Sequence, residues 1–136
     1  MENERVAAVH QQQKIIALEK LKESAIKQTK SWVSEQCENP IEHNGKYYSV
    51  TLEKQQLLSM KLEKYITNHF ANKSYILEWN DTGESSVEWE FEDLLELSNK
   101  IDAHVRLIVS KQQAAEKAIR QAAAINEVEE ILEDFI

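Results

Sequence analysis

The chain has 136 residues, a net charge of -8 and a pI near 5.0, which argues against nucleic acid and anionic membrane surfaces as partners, because both are bound by basic patches. Its single cysteine excludes an intramolecular disulfide, and its 2 glycines and 1 proline favour long uninterrupted helices. The polar first 22 residues lack a signal peptide's apolar region, and no apolar run spans a bilayer, so we expect a soluble protein made in the cytosol.

The first predicted element is a helix over residues 3–37, where apolar side chains recur every three or four residues without Gly or Pro. The apolar stripe is thin before Ile15, because three glutamines at 11–13 interrupt it. A helix of about 35 residues is about 50 Å long, which exceeds what a compact body of this size needs. We therefore predict that residues 1–22 project as a helical extension from one α+β domain over 23–136, and that this helix joins copies of the chain into a homo-oligomer.

A loop, a strand and a second helix are predicted next. Proline and glycine punctuation places a loop and turn over 38–46, and the aromatic and β-branched residues of 46–50 indicate a short strand. Thr51 has the side chain of a helix N-cap, and the apolar stripe that follows it runs to about Phe70.

A β-hairpin is predicted over residues 74–91, with strands at 74–79 and 86–91 around a turn-rich centre. The second strand alternates between apolar side chains on one face and glutamates in water: Val87, Trp89 and Phe91 against Glu88 and Glu90. The first strand offers a matching apolar face of Tyr75, Leu77 and Trp79.

The last third is predicted as a helix over about 92–123 and a short amphipathic helix capped by Asn126. The long helix has an apolar position every seven residues: Leu94, Ile101, Ile108, Ala115 and Ala122. The predicted fold is thus α+β and helix-dominant, with two long antiparallel helices, a middle helix and a small antiparallel sheet or hairpin.

The residue pattern offers little for catalysis. The four histidines lie 26 or more residues apart, which does not suit a helical metal site. The acidic run 84–96 lacks the spacing of a calcium-binding loop, so a solvated face is favoured over a calcium or magnesium site. Cys37 with His43 is a conceivable nucleophile pair, but a bystander thiol is favoured. We predict no catalytic, metal-binding or cofactor-binding residues and no enzyme activity, with a hydrolase or metal enzyme as the weakest alternative.

Dense aromatic residues in the predicted sheet have two interpretations, a core beneath the helices or a binding platform. We favour the core and expect Tyr48 and Trp79 to be the most exposed of the set. Together with Glu88 and Glu90, these two residues are the predicted partner-binding side chains.

Several short segments recur in a recognisable order. They are His-Asn-Gly-Lys-Tyr-Tyr-Ser-Val-Thr at 43–51, Leu-Glu-Trp-Asn-Asp at 77–81, a second strand leading into a helix at 87–94, and a terminal segment at 125–131. Over about residues 22–136 this order resembles an uncharacterised domain found in bacteriophage tail-associated proteins, including tail-fibre, baseplate and fibre-assembly proteins.

The resemblance implies a phage or prophage protein with a structural or assembly role, protein partners and no established catalytic residues. It places the chain in the bacterial host cytoplasm or in the virion tail. The alternative is a free acidic inhibitor or adaptor that binds a basic surface of a host protein, as a DNA mimic or anti-defence factor. The acidic run 84–96 and the acidic residues of 127–134 motivate that alternative.

Overall fold

Residues 2–136, which the computed structural model of the chain describes, form four helices and two two-stranded antiparallel sheets. The helices are α1 (Glu2–Cys37), α2 (Leu52–Phe70), α3 (Phe91–Gln121) and α4 (Ile125–Phe135). The strands are β1 (Ile41–His43), β2 (Lys46–Tyr48), β3 (Glu78–Trp79) and β4 (Val87–Glu88). The predicted helix-dominant α+β class is confirmed.

The chain divides into two compact units, each with its own core. Unit 1 contains the residues up to Trp32 together with Ser110–Ile136, and unit 2 contains Val33–Val109. This division differs from the predicted extension over 1–22 and single domain over 23–136. The reason is that the helical segments at the two ends of the chain bury a core of their own, apart from the core around the sheets.

In unit 1, α1 and α3 lie antiparallel, as predicted. Lys22 Nζ donates to the carbonyl of Arg120 at 3.1 Å, and Gln112 Nε2 donates to Thr29 Oγ1 at 3.2 Å, so the two helices run in opposite directions. Helix α4 folds back on them, and the rings of Phe135 and Trp32 pack in a T-shaped arrangement with centroids 4.8 Å apart. The buried side chains of this core are Ala25, Ile26, Ile119, Ala122 and Val128.

A polar pair is buried in the contact between α1 and α3. Thr29 is fully buried and Gln112 is 7% exposed. The Thr29 hydroxyl donates to the carbonyl of Ile26 at 2.7 Å while it accepts from Gln112. Both side chains thus have hydrogen-bond partners inside the apolar contact, which offsets the free-energy cost of burying their polar groups.

Within α1, every side chain from residue 3 to residue 17 is exposed. Val6, Val9, Ile15 and Ile16 are each about half exposed. Leu18 is the first partly buried residue of the helix and packs on the unit 1 core.

In unit 2, β1 and β2 form a hairpin that the sequence did not predict. Asn44 and Gly45 have φ of 53° and 84°, and they join the paired residues His43 and Lys46. Two central residues with positive φ give the turn whose twist matches a hairpin. Part of the predicted loop 38–46 is therefore a strand, and the predicted strand 46–50 ends at Tyr48.

The second hairpin is shorter than predicted. Pairing joins only Glu78 to Glu88 and Trp79 to Val87, with one further bond from the Trp89 N–H to the carbonyl of Leu77 at 2.9 Å. Val87 is 58% exposed, so its predicted place on the apolar face is wrong. The strand ends early because α3 begins at residue 91.

Two helix N-caps were predicted from the sequence, one for α2 and one for α4. The Thr51 side chain accepts the Lys54 N–H, so the predicted N-cap of α2 is confirmed. The predicted cap at Asn126 is wrong, because α4 starts at Ile125 with Ala124 at the N-cap, two residues before the predicted cap. There the Glu127 carboxylate accepts the Ala123 N–H at 3.0 Å in place of a capping side chain.

The core of unit 2 lies between α2, α3 and the two hairpins. Its buried side chains are Ile41, Tyr48, Val50, Leu58, Leu62, Leu77, Trp79, Leu94, Leu97 and Ile101.

Candidate functional site

A groove of about 530 Å³ in unit 2 brings together all four residues that the sequence predicted to bind a partner. They are Tyr48, Trp79, Glu88 and Glu90. The remaining lining residues are Asn44, Lys46, Asp81, Val87, Trp89 and Asp93. We call this site the acidic groove.

The prediction that Tyr48 and Trp79 are exposed is wrong, since they are 4% and 2% exposed. Tyr48 lies opposite the buried Ile41 in the first hairpin and shares its inward face. Trp79 is covered by α2, whose Lys54 and Lys61 place their ammonium groups 5.3 and 5.6 Å from its ring centroid. The two aromatic side chains therefore form the wall of the groove instead of projecting from it.

Aromatic packing and one backbone bond fix the shape of the groove. The rings of Tyr48 and Trp89 meet edge to face with centroids 5.7 Å apart. The Thr82 N–H donates to the carbonyl of Tyr47 at 2.8 Å, which ties the turn between β3 and β4 to β2. This bond holds the neighbouring Asp81 beside Tyr48.

Negative charge dominates the groove. Four carboxylates line it, from Asp81, Glu88, Glu90 and Asp93, against the single ammonium group of Lys46. None of the salt bridges formed within residues 2–136 involves these five side chains. Their charges are therefore available to a ligand.

The environment of the groove changes the pKa of the Tyr48 hydroxyl. Burial, and then the negative charge of Asp81, raise the pKa of Tyr48 above its ordinary value. None of the side-chain hydrogen bonds within residues 2–136 involves this hydroxyl, whose oxygen is accessible to solvent although only 4% of the residue is exposed. A polar group held at the wall of a groove in this way has capacity for a hydrogen bond from a ligand.

Other chemistry finds little support in the side-chain arrangement. Burial raises the pKa of the Cys37 thiol, which keeps it protonated and a poor nucleophile at neutral pH. Within residues 2–136, no group of three or more His, Cys, Asp or Glu side chains is placed to hold a metal ion. Nor does any helix of that part of the chain have the length and apolar character to cross a membrane.

A patch of opposite charge, which was not predicted from the sequence, lies on unit 1. Lys20, Lys27 and Lys30 of α1 and Arg120 of α3 surround a shallow depression of about 550 Å³ that Glu23 also lines. We call these four cationic residues the basic face. The signal for it was the spacing of seven residues between Lys20 and Lys27, which puts both on one side of a helix.

Chemically, the acidic groove suits the cationic side chains of lysine or arginine. Carboxylates bind their N–H groups in charge-assisted hydrogen bonds. Comparisons with protein-family models, with curated proteins and with solved structures find no match for this chain, so no family is assigned to it.

Proposed function

We propose that this chain is a non-enzymatic protein-binding protein whose acidic groove receives lysine or arginine side chains of a partner protein. The observation that carries the proposal is the combination, in one groove, of an aromatic wall with four carboxylates that have no ion-pair partner within residues 2–136. A site of this kind favours a cation through the charge of its carboxylates, which bind the N–H groups of lysine and arginine.

The same groove discriminates by charge. With four carboxylates against Lys46, an acidic ligand is repelled while a basic one is attracted over several ångströms. Because most of the carboxylates are exposed to solvent, added salt screens this attraction. We therefore expect binding that is selective for basic partners and weaker at high ionic strength.

As the biological setting we propose a structural or assembly role in a bacteriophage tail or baseplate. The resemblance of residues 22–136 to a domain of tail-associated proteins supports it. The exposed apolar side chains of the first helix, among them Val6, Val9 and Ile16, offer a further contact surface. A defined number of copies per purified virion, measured by mass spectrometry, is the expected result. A chain found in infected cells and not in virions would instead favour a free adaptor.

The free adaptor is the second candidate, and the charge of the groove favours it specifically. An acidic protein with a concave cation-binding groove can occupy a basic surface of a host protein and so compete with its natural acidic ligand. In this case the same groove residues bind, and only the identity of the partner changes.

Charge reversal in the groove tests the binding function. The probe is a fluorescent octa-arginine peptide, followed by anisotropy at low and high salt, with octa-glutamate as the negative probe. The variant is Glu88→Lys with Glu90→Lys, two exposed groove residues. We expect it to weaken octa-arginine binding by at least about tenfold, which corresponds to about 1.4 kcal/mol.

The matched control makes the same change of charge outside the groove. Glu129→Lys with Glu130→Lys alters two exposed glutamates of α4, and we expect it to retain most of the wild-type affinity. Equal weakening by both variants, or binding of octa-glutamate as tight as that of octa-arginine, would contradict the proposal.

A further inference from the structure

We propose that the basic partner is a second copy of this chain, which places the basic face of its unit 1 on the acidic groove of unit 2. The inference rests on the proposed function of the groove and adds the identity of its occupant. It is argued from the charge complementarity of two surfaces that the same chain carries.

The charge of the chain is distributed unevenly between the units. Unit 2 contains 14 acidic and 7 basic side chains, whereas unit 1 contains 10 acidic and 9 basic ones. Nearly all of the net charge of -8 therefore belongs to the unit that has the acidic groove. Unit 1 of another copy is then the part of the chain that this groove repels least, and its basic face is the part that the groove attracts.

The basic face has cations that are free to be shared. Lys30 and Arg120 lie 3.5 and 3.9 Å from Glu116 Oε1, so part of their charge is already balanced. Lys20 and Lys27 are exposed and take part in none of the salt bridges formed within residues 2–136. They are therefore the cations on this face that are best placed to reach the carboxylates of a second copy.

The exposed charges of the two surfaces have the reach that a contact needs. Lys20 and Lys27 stand two turns apart on α1, about 10 Å along its axis. Glu88 and Glu90 of the acidic groove are exposed as well. The contact therefore pairs long lysine side chains with exposed carboxylates.

Each copy contributes two different surfaces to this contact. Two copies that make the contact reciprocally, each basic face on the other's acidic groove, form a closed two-fold dimer. Copies that make it head to tail form rings if the rotation closes and open filaments if it does not.

Sedimentation velocity over a range of protein concentrations tests the inference on the full chain. For the wild type at low salt, we expect dimers or larger species that increase with concentration and dissociate when salt is added. The groove variant Glu88→Gln with Glu90→Gln and the face variant Lys20→Gln with Lys27→Gln should each lose at least about tenfold in association constant. The matched control, Lys100→Gln with Lys117→Gln, neutralises two exposed lysines outside the basic face and should assemble like the wild type.

Mixing the two variants gives the most specific result. The groove variant keeps an intact basic face, and the face variant keeps an intact acidic groove. An equimolar mixture should therefore form a dimer with one copy of each variant and nothing larger. Glutamine is used because charge reversal on both surfaces would create new attractive pairs. Circular dichroism shows whether each variant retains its helices, and the two variants alter different units, so misfolding of one leaves the other informative.

Three outcomes would overturn the inference: a wild type that stays monomeric at all concentrations, variants that assemble as the wild type does, or a mixture that gives no mixed dimer. The octa-arginine assay separates this failure from failure of the proposed function. A monomeric wild type that binds octa-arginine through the groove removes the second copy as partner and leaves the function standing. A monomeric wild type that does not bind octa-arginine removes both.

Discussion

Tyr48 is the residue at which packing and ligand chemistry meet. Its ring belongs to the unit 2 core and contacts Trp89, whereas its hydroxyl lies at the acidic groove beside Asp81. The ring fixes the position of the hydroxyl, and the hydroxyl remains available because no protein group within residues 2–136 satisfies it. A single side chain thus connects the stability of the sheet to the binding surface.

Stability at alkaline pH reports on the same residue. Burial raises the pKa of both Tyr48 and Cys37, and Asp81 adds to the effect at Tyr48. A group with a raised folded-state pKa contributes stability that is full below its unfolded-state pKa and is lost as pH rises through the folded-state pKa. With unfolded-state values of about 8.5 for Cys and about 10 for Tyr, the loss falls in the window above about pH 8.5.

Urea denaturation between pH 7 and pH 11 measures this loss as a fall in the free energy of unfolding. Tyr48→Phe keeps the ring and removes the titrating hydroxyl, so we expect a shallower fall with pH than in the wild type. The control is Tyr47→Phe at the neighbouring position, where the side chain is 58% exposed, and it should leave the pH dependence unchanged. Identical slopes for Tyr48→Phe and the wild type would show that Tyr48 ionises as freely in the folded chain as in the unfolded one.

At the scale of elements, the first hairpin depends on its turn. The strands β1 and β2 have only three residues each, so they contribute few hydrogen bonds of their own. Asn44 and Gly45 adopt the positive φ that the turn requires. The Glu42 carboxylate stabilises the turn by accepting the Gly45 N–H at 2.7 Å. The position of Tyr48 at the groove therefore depends on Asn44 and Gly45, although neither residue pairs with it across the hairpin.

Substitution of Gly45 tests this dependence. A Cβ at this position would meet nothing within 4 Å, so any cost of Gly45→Ala comes from the backbone conformation at φ 84°. We expect a loss of about 1 kcal/mol in the free energy of unfolding, and a smaller loss for Gly45→Asn, because asparagine tolerates positive φ. Chemical denaturation gives both values. Equal stability of the alanine variant and the wild type would mean that the turn readily adopts another conformation.

The same elements show which structural features can be predicted from the sequence and which cannot. Helix α2 was predicted with its Thr51 cap and its end near Phe70, because a cap and an apolar stripe are local properties. Strand β1 was missed, because three residues give no periodicity and their pairing depends on the turn beyond them. The exposure of Tyr48 and Trp79 was misjudged, since tertiary packing decides which face of a short strand points inward.

The groove itself was predicted only in part. The alternation at 86–91 identified Glu88 and Glu90 as solvent-facing, and both are exposed. Asp93 was predicted only as a member of the acidic run 84–96, and Asp81 was not predicted as a site residue. A helix start and a turn supply these two carboxylates, and only the folded chain brings them to one cavity. The basic face was overlooked for the same reason, as Arg120 joins the lysines of α1 from a distant part of the sequence.

At the scale of the whole molecule, two cores share one chain. Ile119 in unit 1 and Leu97 in unit 2 are both 0% exposed and belong to separate clusters. Removal of a buried branched side chain leaves a cavity that the surroundings fill only partly. Each substitution should therefore mainly lower the stability of the unit that contains it.

We expect Ile119→Ala and Leu97→Ala each to cost about 2–5 kcal/mol, and Leu107→Ala, at a position 75% exposed, to cost little. Native-state hydrogen exchange with mass spectrometry then locates the effect. Exchange in α4 should increase most for Ile119→Ala, and exchange in the hairpins should increase most for Leu97→Ala. A uniform increase across the chain in both variants would show that the two cores open together.

The buried bond between Thr29 and Gln112 has a consequence for how the long helices align. The core beside it combines small side chains, Ala25 and Ala122, with the larger Ile26 and Ile119. Displacement of one helix by a turn would leave the two polar groups without partners, at a cost of about 1–3 kcal/mol for each. The hydrogen bond therefore favours one alignment of the two helices over alignments displaced by a turn. In this alignment Phe135 of α4 packs against Trp32.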